Sequence, residues 1–135
     1  MMLLFTMLLA CHGVDLLGAM SPSGEPYMEG MWEARALTLQ AGLAEAEALH
    51  AQGERKAAQQ MVRDVYQGSF EPELEVLVRE QGSRASAAEL EYSFGLLERA
   101  MGQKDTERVV SLRSEIEAGV FAQAEAFDTK KLVLR

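Results

Sequence analysis

Apolar residues recur at alternating spacings of four and three through most of this chain, and glycines interrupt them at regular intervals. Trp32, Ala36, Leu39, Leu43, Ala46 and His50 fall on one face of a helix. Gly53 follows at the C′ position, where a left-handed backbone costs glycine least. The spacing predicts a first helix over about 29–52. A second, over about 54–67, turns Ala58, Val62 and Val65 inward and ends at Gly68. A third begins after Ser69 with Pro72 in its first turn and carries Phe70, Leu74 and Leu77 before Gly82. It reads equally as a kinked continuation of the second. Ser86 and Glu89 form a capping box for the next helix, whose buried face is Leu90, Phe94, Leu97 and Met101. Gly102 stops it. Asp105 is the N-cap of the last helix, with Leu112, Ile116, Val120 and Phe127 inward as far as about Lys130. The short connections make neighbours antiparallel. The fold class expected is all-α, an up-and-down bundle of four to five helices.

The 135 residues suffice for one domain with a real core, expected over 29–130, and are too few for two. A formal net charge of −8 argues against nucleic acid, because phosphate binding needs clustered Lys and Arg. It argues equally against a basic membrane-surface helix. The single cysteine, Cys11, excludes an internal disulfide or a cysteine zinc cluster.

Residues 1–20 read as a leader. The run Met1 to Ala10 is uncharged and apolar, and it falls well short of the ~20 residues that span a bilayer. It suits the apolar region of an export signal. Its Leu8-Leu9-Ala10-Cys11 ending resembles the bacterial lipoprotein box, which implies lipid attachment at Cys11 and makes residues 21–28 a tether to the membrane. Two alternatives stay open: a disordered or misassigned leader, and cleavage near Leu17-Gly18-Ala19-Met20.

The densest mixture of polar and apolar residues is Tyr66 to Arg79. Glu71 and Glu75 lie four apart on one helical face, each one residue beyond a core position, and Glu91 sits likewise beside Leu90. Three such carboxylates on adjacent helices make a hard, oxygen-rich site suited to iron, manganese or calcium. The plainer alternative is that the first two favour a helix N-terminus and that Arg79 pairs with Glu75. Glu47 and His50 form a Glu-x-x-His, but di-iron bundles use two such pairs and this chain has one. His50 lies on the apolar stripe, as a packed or capping histidine does. Tyr66 and Tyr92 read as core-edge residues. No phosphate loop or nucleophile–base pair is present in the sequence, so no enzyme is expected.

The segment Tyr66, Phe70-Glu71, Leu74-Glu75 and Val78-Arg79 resembles an acidic segment of the extracytoplasmic helical domain found in many bacterial iron permeases of the fungal-type high-affinity family. Leu43-Ala44-Glu45-Ala46 with Gly53 to Ala58 upstream, and Leu90-Glu91 to Leu97 downstream, extend the likeness over about 37–127. In the downstream block Glu98 intervenes before Arg99. The Arg-Glu-x-x-Glu motifs of the family's transporting membrane helices are missing, so this chain is not the transporter. The resemblance implies an exported iron-uptake accessory domain in the periplasm. It would bind or hand over iron through Glu71, Glu75 and Glu91 and serve a membrane partner. A non-enzymatic interaction or structural module of the cell envelope is the other expectation. It predicts the same carboxylates in solvent or paired with Arg79 and Arg99.

Overall fold

A computed structural model describes residues 26–134. Cys11, the leader and most of the tether lie outside them. Five α-helices run in order: α1 (Met31–Ala51), α2 (Arg55–Val65), α3 (Leu74–Leu77), α4 (Arg84–Met101) and α5 (Thr106–Thr129). Helix α1 packs on α2 and α5, and α4 packs on the same two, which closes a four-helix ring with α1 and α4 on the diagonal. Cross-links between α1 and α5 fix their opposed directions: Trp32 meets Asp128, Gln40 meets Glu117, and Glu47 meets Arg113. The fold is the expected all-α bundle.

Every position expected in the core is buried, from Trp32 to Phe127. Met31, Val78 and Val109 join them. The packed unit reaches beyond its expected limits at both ends. Tyr27, placed in the tether by sequence, and Leu132 and Leu134 pack against the core. Trp32 anchors that end: its ring meets Phe127 edge-on at 5.9 Å, and its indole nitrogen donates to the Leu132 carbonyl at 2.7 Å. Among the described residues no helix is long and apolar enough to cross a membrane.

The chain departs from the expected helix limits in two places. Gly68 does not end the second helix. The backbone widens instead into a π-helical turn over Tyr66–Phe70, and the Glu71 N–H donates to the Tyr66 carbonyl five residues back. Pro72 has no N–H to continue an α-helical ladder, and its ring crowds the carbonyl four residues earlier. Widening just before it lets the chain turn without stopping. Helical bonding resumes at Leu74, and a second π turn, Val78–Gly82, leads to Ser83. The kinked-continuation reading therefore describes this stretch better than a separate third helix. Helix α4 begins two residues before Ser86. Its N-cap is Ser83, whose hydroxyl accepts the Ser86 N–H at 3.0 Å, so Ser86 occupies the third helical position. Asp105 caps α5 as expected, accepting the Arg108 N–H at 3.0 Å.

Candidate functional site

The kink sets the geometry of the acidic segment. It points the Tyr66 ring inward against Phe70 and Phe94, whose centroids lie 5.7 and 5.3 Å away. Phe70 and Phe94 are themselves 5.2 Å apart, so three rings tie the bend to α4. Glu75 stands at the edge of this cluster and is 5% exposed. A carboxylate that deep needs partners. One oxygen accepts the Tyr66 hydroxyl at 2.8 Å, and the other accepts the Arg79 guanidinium, one turn along.

Glu71 and Glu91 are exposed. They sit close enough to Tyr66 to act on it electrostatically. The phenol pKa lies far above the ordinary value, first through burial, then through its bond to Glu75, and then through the charges of Glu75, Glu91 and Glu71. Of the three carboxylates singled out in the sequence, Glu75 bonds the Tyr66 hydroxyl directly, whereas Glu71 and Glu91 stand exposed. Both oxygens of Glu75 are engaged, one by Tyr66 and one by Arg79. Among the described residues no group of three Asp, Glu, His or Cys side chains is placed to hold a metal ion.

Other polar side chains are bonded within the bundle. His50 is buried, and its Nε2 donates to the Gln103 carbonyl at 2.6 Å, which locks the end of α1 to the α4–α5 connection. Glu47 pairs with Arg113, which also bonds Glu117 on its own helix. Glu73 pairs with Arg35, whose guanidinium lies 4.8 Å from the centre of the Trp32 ring. Tyr92 stands 65% exposed on α4, so it is not a core-edge residue.

A larger concavity lies at the start of α1. A groove of about 730 Å³ runs between the start of α1 and the last turns of α5. Tyr27, Ala118, Phe121 and Ala122 give it an apolar floor, and Glu29, Glu33 and Glu125 stand along it. Sequence reasoning passed over it, although Ala118, Phe121, Ala122 and Glu125 mark a second stripe on α5 at helical spacing.

No family model, curated protein or solved structure matches the chain. Fold and site geometry define the class of protein: an all-α, up-and-down bundle in which one carboxylate of the acidic segment, Glu75, is buried and held by Tyr66 and Arg79.

Proposed function

We propose that the protein is a non-enzymatic helical interaction module of the cell envelope. The observation that carries this reading is the engagement of both Glu75 oxygens by Tyr66 and Arg79. Glu75 thereby braces the bent segment internally, while Tyr66 and Phe70 pack it against Phe94 of α4. A buried charge satisfied in this way contributes shape, and what such a bundle offers to other molecules is its outer faces. Lipid attachment at Cys11, with the tether after it, would hold the bundle beside a membrane, in the periplasm or on another extracytoplasmic face.

A second reading, iron binding for an uptake partner through Glu71, Glu75 and Glu91, draws on the contact of Glu75 with the Tyr66 hydroxyl at 2.8 Å. Carboxylates and a phenol are hard donors of the kind iron takes. It requires Glu75 to exchange Arg79 for the metal.

Thermal melting of the full chain separates the two. Wild type and a Glu71→Gln/Glu75→Gln variant are melted with and without Fe(II), Fe(III)-citrate, Mn(II) and Ca(II). A specific ligand at 100 times its Kd adds about 2.7 kcal/mol of stability. The interaction reading expects no metal-selective shift and a variant equally destabilised in every buffer. An iron-selective rise in Tm, lost in the variant, overturns it in favour of iron.

A further inference from the structure

We propose that the groove between the start of α1 and the last turns of α5 receives a cationic amphipathic helix of a partner protein. The inference rests on the interaction-module reading and adds the place and the chemistry of the partner.

The groove is built from two separated parts of the chain. Phe121 and Ala122 lie on the flank of α5 beside its core-facing stripe, and Tyr27 closes the end of the floor through its hydroxyl, which donates to the Asp128 carbonyl at 3.0 Å. Phe121 is half-buried, so part of its ring faces the opening. The apolar floor suits the nonpolar face of a helix.

The rim selects the charge of the occupant. Among the described residues lining the groove there is no Lys or Arg, whereas Glu29, Glu33, Glu125 and Asp128 all line it. Asp128 is committed, since its carboxylate accepts backbone N–H groups of α1. The carboxylates of Glu29, Glu33 and Glu125 form no ion pair among the described residues, and all three are exposed. The Tyr27 phenol lies at this end of the groove. Its pKa is raised, first by burial and then by the Asp128 charge, with Glu29 contributing. An apolar floor with an unneutralised negative rim complements a segment that carries leucine-like residues on one face and Lys or Arg on the other. The chain's own leader is apolar and uncharged from Met1 to Ala10, so it does not complement this rim.

The test titrates the full isotope-labelled chain with a synthetic amphipathic helix of leucine and lysine, and with its leucine–glutamate counterpart, while amide resonances are followed. Because the protein carries a net charge of −8, general attraction must be separated from docking. Two variants do so. Glu29→Gln/Glu33→Gln/Glu125→Gln removes three charges at the groove, and Glu45→Gln/Glu80→Gln/Glu115→Gln removes three exposed charges elsewhere. A third, Ala122→Arg, places a cation on the exposed floor. The expected result is saturable binding of the lysine peptide alone, with shifts centred on Tyr27, Phe121 and Ala122. Affinity should fall about tenfold or more in the groove variant and in Ala122→Arg, and less than about twofold in the control. Equal losses in both charge variants, shifts spread over the surface, preference for the glutamate peptide, or no binding would each overturn the proposal. None of these outcomes touches the broader interaction reading, which the metal melting decides.

Discussion

The Asp128 carboxylate, near the end of α5, accepts the backbone N–H groups of Trp32 and Glu33 at 3.1 and 2.9 Å. It caps the N-terminus of α1 from across the bundle. The cap residue of α1 is Gly30, at φ 72°, which has no side chain to do this itself. Asp128 also accepts the Tyr27 hydroxyl, so one carboxylate joins both ends of the packed unit. Its negative charge additionally faces the positive end of the α1 dipole.

Replacing Asp128 therefore acts on α1 as loss of a local cap would. Asp128→Ala should cost about 1–2 kcal/mol. In a domain of this size each kcal/mol corresponds to a fall in Tm of roughly 4–8 °C. Asp128→Asn should retain part of the capping, because its amide oxygen still accepts a hydrogen bond. Thermal melts of the two variants check the order: wild type above Asn above Ala. Equal Tm values for wild type and Ala would show that the cap adds nothing.

Alkaline pH should destabilise the bundle through its tyrosines. The Tyr66 phenol has a pKa raised above its ordinary value of 10.0 by burial and by neighbouring carboxylates. Below pH 10 both folded and unfolded chains keep the proton, and this contribution is fully present. Above it the unfolded chain ionises first, so stability falls as pH rises. Tyr27 shifts the same way and adds to the slope. Tyr66→Phe should flatten the decline of Tm between about pH 10 and 12 while lowering Tm near neutrality, where the bond to Glu75 is lost. A variant whose Tm falls as steeply as wild type would contradict the assignment.

What was legible in the sequence follows from distance along the chain. The stripes from Trp32 to Phe127 are local patterns, and each predicted core position is buried. Asp105 was legible because an N-cap bonds a residue three places on. Ser83 was hidden by the better-looking box at Ser86 and Glu89. The π turn was invisible because the apolar spacing on either side of it, Val62 to Phe70, does not reveal a locally widened helix. Glu75 meets Tyr66, yet sequence left open whether Arg79 would take Glu75. The Asp128 cap and the acidic groove depend on residues about a hundred positions apart. No window of local spacing contains both halves.

Two glycines should respond to alanine with opposite signs. At Gly42 an added Cβ would run into the Val65 side chain, where α1 and α2 approach closely. At Gly95, on the outer face of α4, it would meet nothing within 4 Å. Alanine in a helix interior gains about 1 kcal/mol over glycine through backbone entropy. Overpacking a core contact costs about 1–3 kcal/mol, enough to reverse that gain. Gly95→Ala should raise Tm and Gly42→Ala should lower it. In a double-mutant cycle, Val65→Ala should relieve much of the Gly42→Ala penalty, giving a favourable coupling. Additive losses would mean that the two residues do not clash.

Helices α1 and α5 end in the same way with different residues at the critical position. After α1, Gly53 has φ 81°, its N–H donates to His50, and the Glu54 N–H donates to Leu49. After α5 the same pair of bonds runs from Lys131 to Asp128 and from Leu132 to Phe127. Both are Schellman endings, which need a left-handed residue at C′. Lys131 adopts φ 53°, where its Cβ crowds the backbone at a cost of about 1–2 kcal/mol. Glycine at this position would avoid that strain, offset in part by its greater freedom in the unfolded chain. Lys131→Gly should therefore stabilise the bundle and raise Tm by a few degrees, although it removes an exposed charge and adds no contact. Gly53→Ala should do the reverse at the matching position of α1, where space is open and only the backbone angle resists. Melting the two variants beside wild type tests the pair. A fall in Tm with Lys131→Gly would show that the Lys131 side chain contributes more than its backbone conformation costs.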